Sequence, residues 1–177
     1  MIPIPLEFIR SMARQPVRNY IAPGLSSYII GAPHEGGCVR LFESEREQQF
    51  AITPHSHRFD FHCLVLQGRV TNRLWRKSTA GDDFVETKLI FDSLGKYKRG
   101  ATEAVRRVSH DTVYSAGQGY AMKAEEVHSI YFGRDTSVLF FEGPNVLNTS
   151  VILEPWVDEK AIETFRVEPW MFQKETA

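Results

Sequence analysis

Short apolar runs separated by glycine-containing turns dominate the chain from about Ser26 to Pro144, and this pattern sets the fold class before any motif is considered. The runs are Ser27 to Ile30, Cys38 to Phe42, Phe59 to Leu66, Val70 to Trp75, Phe84 to Phe91, Ala104 to Val108, Thr112 to Tyr114, Tyr120 to Met122, His128 to Phe132 and Val138 to Phe141. Gly36-Gly37, Gly68, Gly81-Asp82, Gly95, Gly117, Gly119, Gly133 and Gly143-Pro144 punctuate them. Many short strands at close spacing predict an all-β sandwich or barrel. Ahead of them, Leu6, Ile9 and Ala13 recur at helical spacing between Pro5 and Pro16, which predicts one short peripheral helix. Behind them, Val157 to Phe165 predicts a second, with Asp158 and Glu159 suited to its first turn. No internal repeat, low-complexity tract or composition shift marks a boundary. Residues 1–177 are therefore expected to form one domain with its barrel core over about 26–144.

Composition narrows the partners. Against 21 Lys plus Arg stand 22 Asp plus Glu, a formal net charge of -1, so the chain lacks the basic field that supplies most non-specific nucleic-acid affinity. The two cysteines, Cys38 and Cys63, make no disulfide framework and no Cys-x-x-Cys pair. The amino terminus has no basic region followed by an apolar stretch, and no run approaches the roughly 20 apolar residues that span a bilayer. The expectation is a cytoplasmic protein that meets a small-molecule substrate, with a second copy of itself as its one protein partner, and neither nucleic acid nor membrane.

Chemistry concentrates in the stretch Thr53-Pro54-His55-Ser56-His57-Arg58-Phe59-Asp60-Phe61-His62-Cys63. Residues two apart on a strand share a face, so His55 and His57 can present two imidazoles to one metal ion. Sites with open positions usually take three protein ligands, and His128, at the head of an apolar run, is the candidate third. Arg40, Arg58 and Arg73 each lie on or beside a predicted strand. An arginine turned inward would clamp a carboxylate with its planar fork, and strand parity favours Arg73.

These residues resemble the cupin superfamily over about Ser26 to Pro144. The first cupin motif runs His-x-His, three or four residues, Glu, six residues, Gly; here it reads His55, His57 and Gly68. Counting back from Gly68 puts Phe61 at the Glu position, whereas counting four residues on from His57 reaches His62. The first count needs no bulge and is favoured; a β-bulge would turn His62 inward as a fourth ligand or as a partner of the ligands. Gly117 or Gly119 and His128 match the second motif, with Lys123 and Glu125 where it has Pro and Gly. The resemblance implies an antiparallel jelly-roll barrel with a three-histidine metal site. His62-Cys63-Leu64-Val65-Leu66-Gln67-Gly68 is also similar to a segment of the cysteine dioxygenases, which hold non-haem iron by three histidines. The implied function is that of a mononuclear oxygenase using Fe(II), with Zn, Ni, Mn or Cu as alternative metals. The residues themselves, apart from the resemblance, offer Arg73, Tyr120, Tyr131 and Cys63 as candidate substrate contacts, against a solvated strand face for the arginine and core packing for the other three. A cupin isomerase or decarboxylase, or a cupin that binds a metal or small molecule without turnover, is the alternative.

Overall fold

The computed structural model of the chain describes residues 5–14, 16–31, 37–48 and 51–156; the second predicted helix, at 157–165, lies outside them. The first is present as α1 (Leu6–Ser11), which buries Ile9. Nine strands follow: β1 (Leu25–Gly31), β2 (Cys38–Ser44), β3 (Phe59–Gln67), β4 (Arg69–Phe91), β5 (Tyr97–Ser115), β6 (Gly119–Met122), β7 (Val127–Phe132), β8 (Thr136–Asn145) and β9 (Thr149–Pro155). All pair antiparallel, in two sheets. One has the order β1-β2-β8-β3-β6; the other is β5-β4-β7, with β9 also on β4. The all-β, antiparallel expectation is met.

The strand alternation explains how the sheets pack. Along β3, Phe61, Cys63 and Val65 are buried while His62 is exposed, the period of two that one covered face imposes. Phe61, Cys63 and Val65 join Leu25, Val70, Met122, Ile130, Phe132 and Val138 in a core drawn from both sheets. β4 is long enough to hold two partners end to end on one edge: β7 lies along Val70 to Trp75 and β9 along Phe84 to Ile90.

Two predicted breaks are absent. Val70–Trp75 and Phe84–Phe91 belong to one strand, because Gly81-Asp82 makes a bulge instead of a turn: Lys77 and Asp82 both stand opposite Arg107. Gly81 takes φ 103°, and a Cβ there would run into the Arg107 carbonyl. β5 likewise joins the predicted strands 104–108 and 112–114.

Gly68, the last residue of the first motif, turns β3 into β4 with φ 73°, and a Cβ on it would sit 2.8 Å from the Thr136 Cα. Left-handed backbone costs a residue with a Cβ about 1–2 kcal/mol, and the contact adds to it. Gly68→Ala is therefore expected to destabilise by about 2 kcal/mol or more, read as a lower urea midpoint. A midpoint equal to that of the wild type would mean that this turn rebuilds without strain.

Candidate metal centre

His55 and His57 do not lie on a strand, as the spacing predicts, but on an extended segment just before β3. Pro54 brings no N–H to a ladder, and the segment changes partners as it crosses the molecule. The Pro54 carbonyl accepts the Leu153 N–H, Ser56 N–H donates to the Val151 carbonyl, and His57 N–H donates to the Ala124 carbonyl, each at 2.9 Å. Between them, His55 and His128 exchange both backbone hydrogen bonds at 2.9 Å. Extended geometry still supplies what the alternation requires: Ser56 is buried on one side, His55 and His57 turn to the other, and His128 on β7 meets them there.

One ring nitrogen from each of the three histidines lies within 4.8 Å of the others. The Nε2 atoms of His57 and His128 are 3.0 Å apart. His55 Nδ1 is 2.7 Å from the Thr53 carbonyl oxygen, so it carries the proton and donates it. His128 Nδ1 donates to Asn72 Oδ1 at 2.7 Å, and Asn72 is held in that orientation by its Nδ2 against the Met122 sulfur at 3.4 Å. Both histidines are thereby fixed as the tautomer whose Nε2 offers a lone pair. A metal ion at about 2.1 Å from each of two imidazoles separates their nitrogens by roughly 3.0–3.4 Å, so the donor set fits a metal.

Electrostatics agree with that fit. Burial lowers the proton affinity of all three rings, in His55 against the opposing hydrogen bond to Thr53. In His57 and His128 the shift is large, and repulsion from the neighbouring histidines adds to burial. Each ring stays neutral, the form that binds metals. In the unfolded chain these groups take up protons as pH falls through the ordinary value of 6.5, while the folded chain resists until lower pH. Stability of the metal-free protein is thus fully present above about pH 6.5 and falls below it, by up to about 1.4 kcal/mol per pH unit for each such histidine. Urea midpoints at pH 7.5, 6.5 and 5.5 check this; a midpoint that does not change across the range would show rings that titrate as if exposed.

The histidines form one wall of a cavity of about 190 Å³, lined by apolar residues that include Phe42, Phe59, Phe61, Phe140, Ile52 and Ile152. Phe61, 1% exposed, packs its ring 4.8 Å from that of His57 and 5.4 Å from that of His128. His62 is exposed on the opposite face of β3, away from the cluster. Cys63 and Tyr120 both line the cavity. Burial pushes the Cys63 thiol up to about 12, against the Tyr120 hydroxyl, which disfavours the thiolate form that nucleophilic attack needs. Burial also raises the Tyr120 hydroxyl well above its usual range, and the Cys63 thiol beside that hydroxyl adds to the shift. Tyr120 is held by stacking on Tyr114, ring centroids 4.6 Å apart.

Two expected substrate contacts are elsewhere. Arg73 grips Asp111 with both arms, at 2.6 and 2.8 Å, and reaches the Tyr131 hydroxyl at 3.0 Å. Neither Arg73 nor Tyr131 lines the cavity. Arg73 takes the solvated strand face, where its guanidinium finds Asp111 directly opposite on the neighbouring strand β5. Arg40 and Arg58 line the cavity instead, with Glu142. Of the acids beside the second motif, Glu126 accepts the Lys123 N–H at 2.7 Å within its own turn.

No protein-family model and no curated protein matches the sequence. Among solved structures, similar chains include a cupin superfamily protein from Desulfitobacterium hafniense DCB-2, at 10% identity and a TM-score of 0.42 over 68% of this chain and 78% of that chain. KdgF from Halomonas sp. is similar at 15% identity and 0.43, over 73% of this chain and 87% of that chain. Hydroxypropylphosphonic acid epoxidase from S. wedmorenis is similar at 8% identity and 0.47, over 73% of this chain and 55% of that chain. These likenesses are distant, and the chemistry of the site rests on its own residues. In its antiparallel two-sheet architecture and in the three-histidine cluster that His55, His57 and His128 form, the chain resembles the cupins.

Proposed function

We propose that the protein is a mononuclear metalloenzyme of the cupin type, in which His55, His57 and His128 hold Fe(II) for the oxidation of a small organic substrate by dioxygen. What carries this reading is the convergence of three neutral imidazoles, two of them locked by hydrogen bonds on Nδ1, on an apolar cavity. When bound, the metal would act as a Lewis acid and bring the two reactants together. The cluster contains no carboxylate, so the protein does not neutralise the charge of a divalent ion there and anionic substrates are favoured. Phe61 takes the place where the cupin motif has its acidic residue, and with Phe59 and Phe140 it keeps bulk water from the reacting groups.

Imidazole also suits zinc, nickel, copper and manganese. The test is to load metal-free protein anaerobically with each metal in turn and to follow oxygen uptake with small thiols, diketones and phenols. Uptake in proportion to substrate consumed, with the Fe(II) form alone and not with His57→Ala, is the expected result. Turnover without oxygen uptake would move the assignment to an isomerase or decarboxylase, and metal binding without any turnover would leave a binding protein.

A further inference from the structure

We propose that Arg58 and Ser150 form an anion-anchoring subsite in the wall of the histidine cavity, and that the cavity accepts a small aromatic carboxylate. This rests on the reading of the cavity as a substrate site and adds the class of substrate.

Several arginines outside the cavity are paired. Arg73 grips Asp111, Arg99 reaches Glu154, Arg106 reaches Asp83, and Arg107 reaches Glu86. Arg40, on the same cavity, stands 4.0 Å from Glu142 and 3.3 Å from the Ser27 hydroxyl. Arg58 is different. It lines the cavity, its guanidinium lies 4.2 Å over the ring of Phe91, and it makes no hydrogen bond or ion pair among the described residues. Stacking holds the plane of the fork and takes one face out of water, leaving its N–H edge to be used. Burial lowers its proton affinity, with the more distant Glu142 opposing, as expected of a cation that lacks a close counter-ion.

Ser150 supplies an independent observation at the same end of the cavity. It is 5% exposed, lines the cavity, and its Oγ is buried with no hydrogen-bond partner among the described residues. In the β4–β9 ladder it stands opposite Leu89, two residues from Phe91, whose N–H donates to the Asn148 carbonyl at 3.0 Å. The Arg58 carbonyl accepts from Val146 and Leu147, on the turn that leads into β9. A buried hydroxyl and a stacked guanidinium without a close counter-ion line the same cavity, and each is a donor without an acceptor among the described residues. A carboxylate satisfies the two together, through the bidentate geometry that arginine favours.

Size and lining select the rest of the molecule. An apolar cavity of roughly 150 Å³ accepts benzene, so the 190 Å³ found here suits one aromatic ring with a short acidic substituent. Phe59, Phe61 and Phe140, with centroids 4.9–6.2 Å apart, offer ring edges and faces to such a body.

The probe is benzoate, with benzamide as its neutral counterpart of the same shape, titrated calorimetrically into metal-free and Fe(II)-loaded protein while metal content is read in every sample. Benzoate is expected to bind at least about 10-fold more tightly than benzamide in both forms. Arg58→Gln should remove about 10- to 100-fold of the benzoate affinity and leave that for benzamide and the metal content unchanged. Arg58→Lys, which keeps the charge without the fork, should fall between, and Ser150→Ala should weaken benzoate by a smaller factor. Equal binding of the two probes to the wild type, no binding of either, or full benzoate affinity in Arg58→Gln would overturn the proposal. Absence of metal from the wild type would instead defeat the metalloenzyme reading, while a benzoate preference in that same sample would still report the Arg58 subsite.

Discussion

Replacement of His128 by alanine is expected to reduce bound metal from about one equivalent to less than about a tenth after dialysis, because a three-ligand site that loses one ligand loses most of its affinity. His128 is 4% exposed on β7 with its Nδ1 held by Asn72, and among the described residues the cluster has no ligand besides His55, His57 and His128. The supporting hydrogen bond should matter by a smaller, measurable amount. Asn72→Leu leaves the three imidazoles in place but frees the His128 ring to rotate and to change tautomer, and about a 10- to 100-fold weaker metal affinity follows. His62→Ala, on the exposed face of β3, should leave both stoichiometry and affinity as they are. Competition with a chelator of known affinity measures all three. Equal losses in His62→Ala and His128→Ala would mean a four-histidine site and would overturn this ligand set.

The second large effect concerns Phe61. Its ring touches the rings of His57, His128 and Phe140 and lies 6.2 Å from that of Tyr120, so it supports the cluster from below and fills the adjacent core. Phe61→Ala leaves a void that rigid strands cannot close, and a loss of about 3–5 kcal/mol is expected in denaturant unfolding. Phe61→Glu buries a carboxylate beside the histidine cluster, in the cavity that Arg40 and Arg58 also line. The metal-free form should be destabilised at least as much, since the packing of the ring is lost and a carboxylate is taken out of water. Metal should then restore stability to Phe61→Glu to a greater extent than to the wild type, because the new carboxylate gains a counter-ion. If Phe61→Ala unfolded at the same urea concentration as the wild type, the ring would have to lie in solvent.

Much of this architecture is legible from residue order. Glycine punctuation and short apolar runs locate β1, β2, β3, β6, β7 and β8, and Gly24, Gly68 and Gly117 take the positive φ that such punctuation signals. β9 escapes the same reading. Its apolar centre, Val151-Ile152-Leu153, buries Ile152 and Leu153 in succession, so it shows no alternation, and it follows the last glycine in the chain. The bulge at Gly81 escapes because a glycine that allows positive φ serves a turn and a bulge equally well. At the site, spacing is enough to bring His55 and His57 to one side, and the extended segment honours it without being a strand. The choice among arginines was not legible in that way. Arg58 follows a histidine turned toward the cavity, and simple alternation would send it outward; it reaches the cavity because the segment ends its run of partners there and enters β3 at Phe59.

The same segment dictates when the centre can exist at all. His57 and His128 are 71 residues apart in sequence, and the link that ties Ser56 to Val151 spans 95. During synthesis, at about 5–20 residues per second, the first two histidines therefore wait several seconds for the third and longer for β9 to pin their backbone. Contacts this remote form late, after the loops between them have closed. An ion consequently cannot seed the fold from its first motif; it enters a nearly finished molecule, and the metal that is incorporated depends on what the cell offers after translation of this stretch is complete.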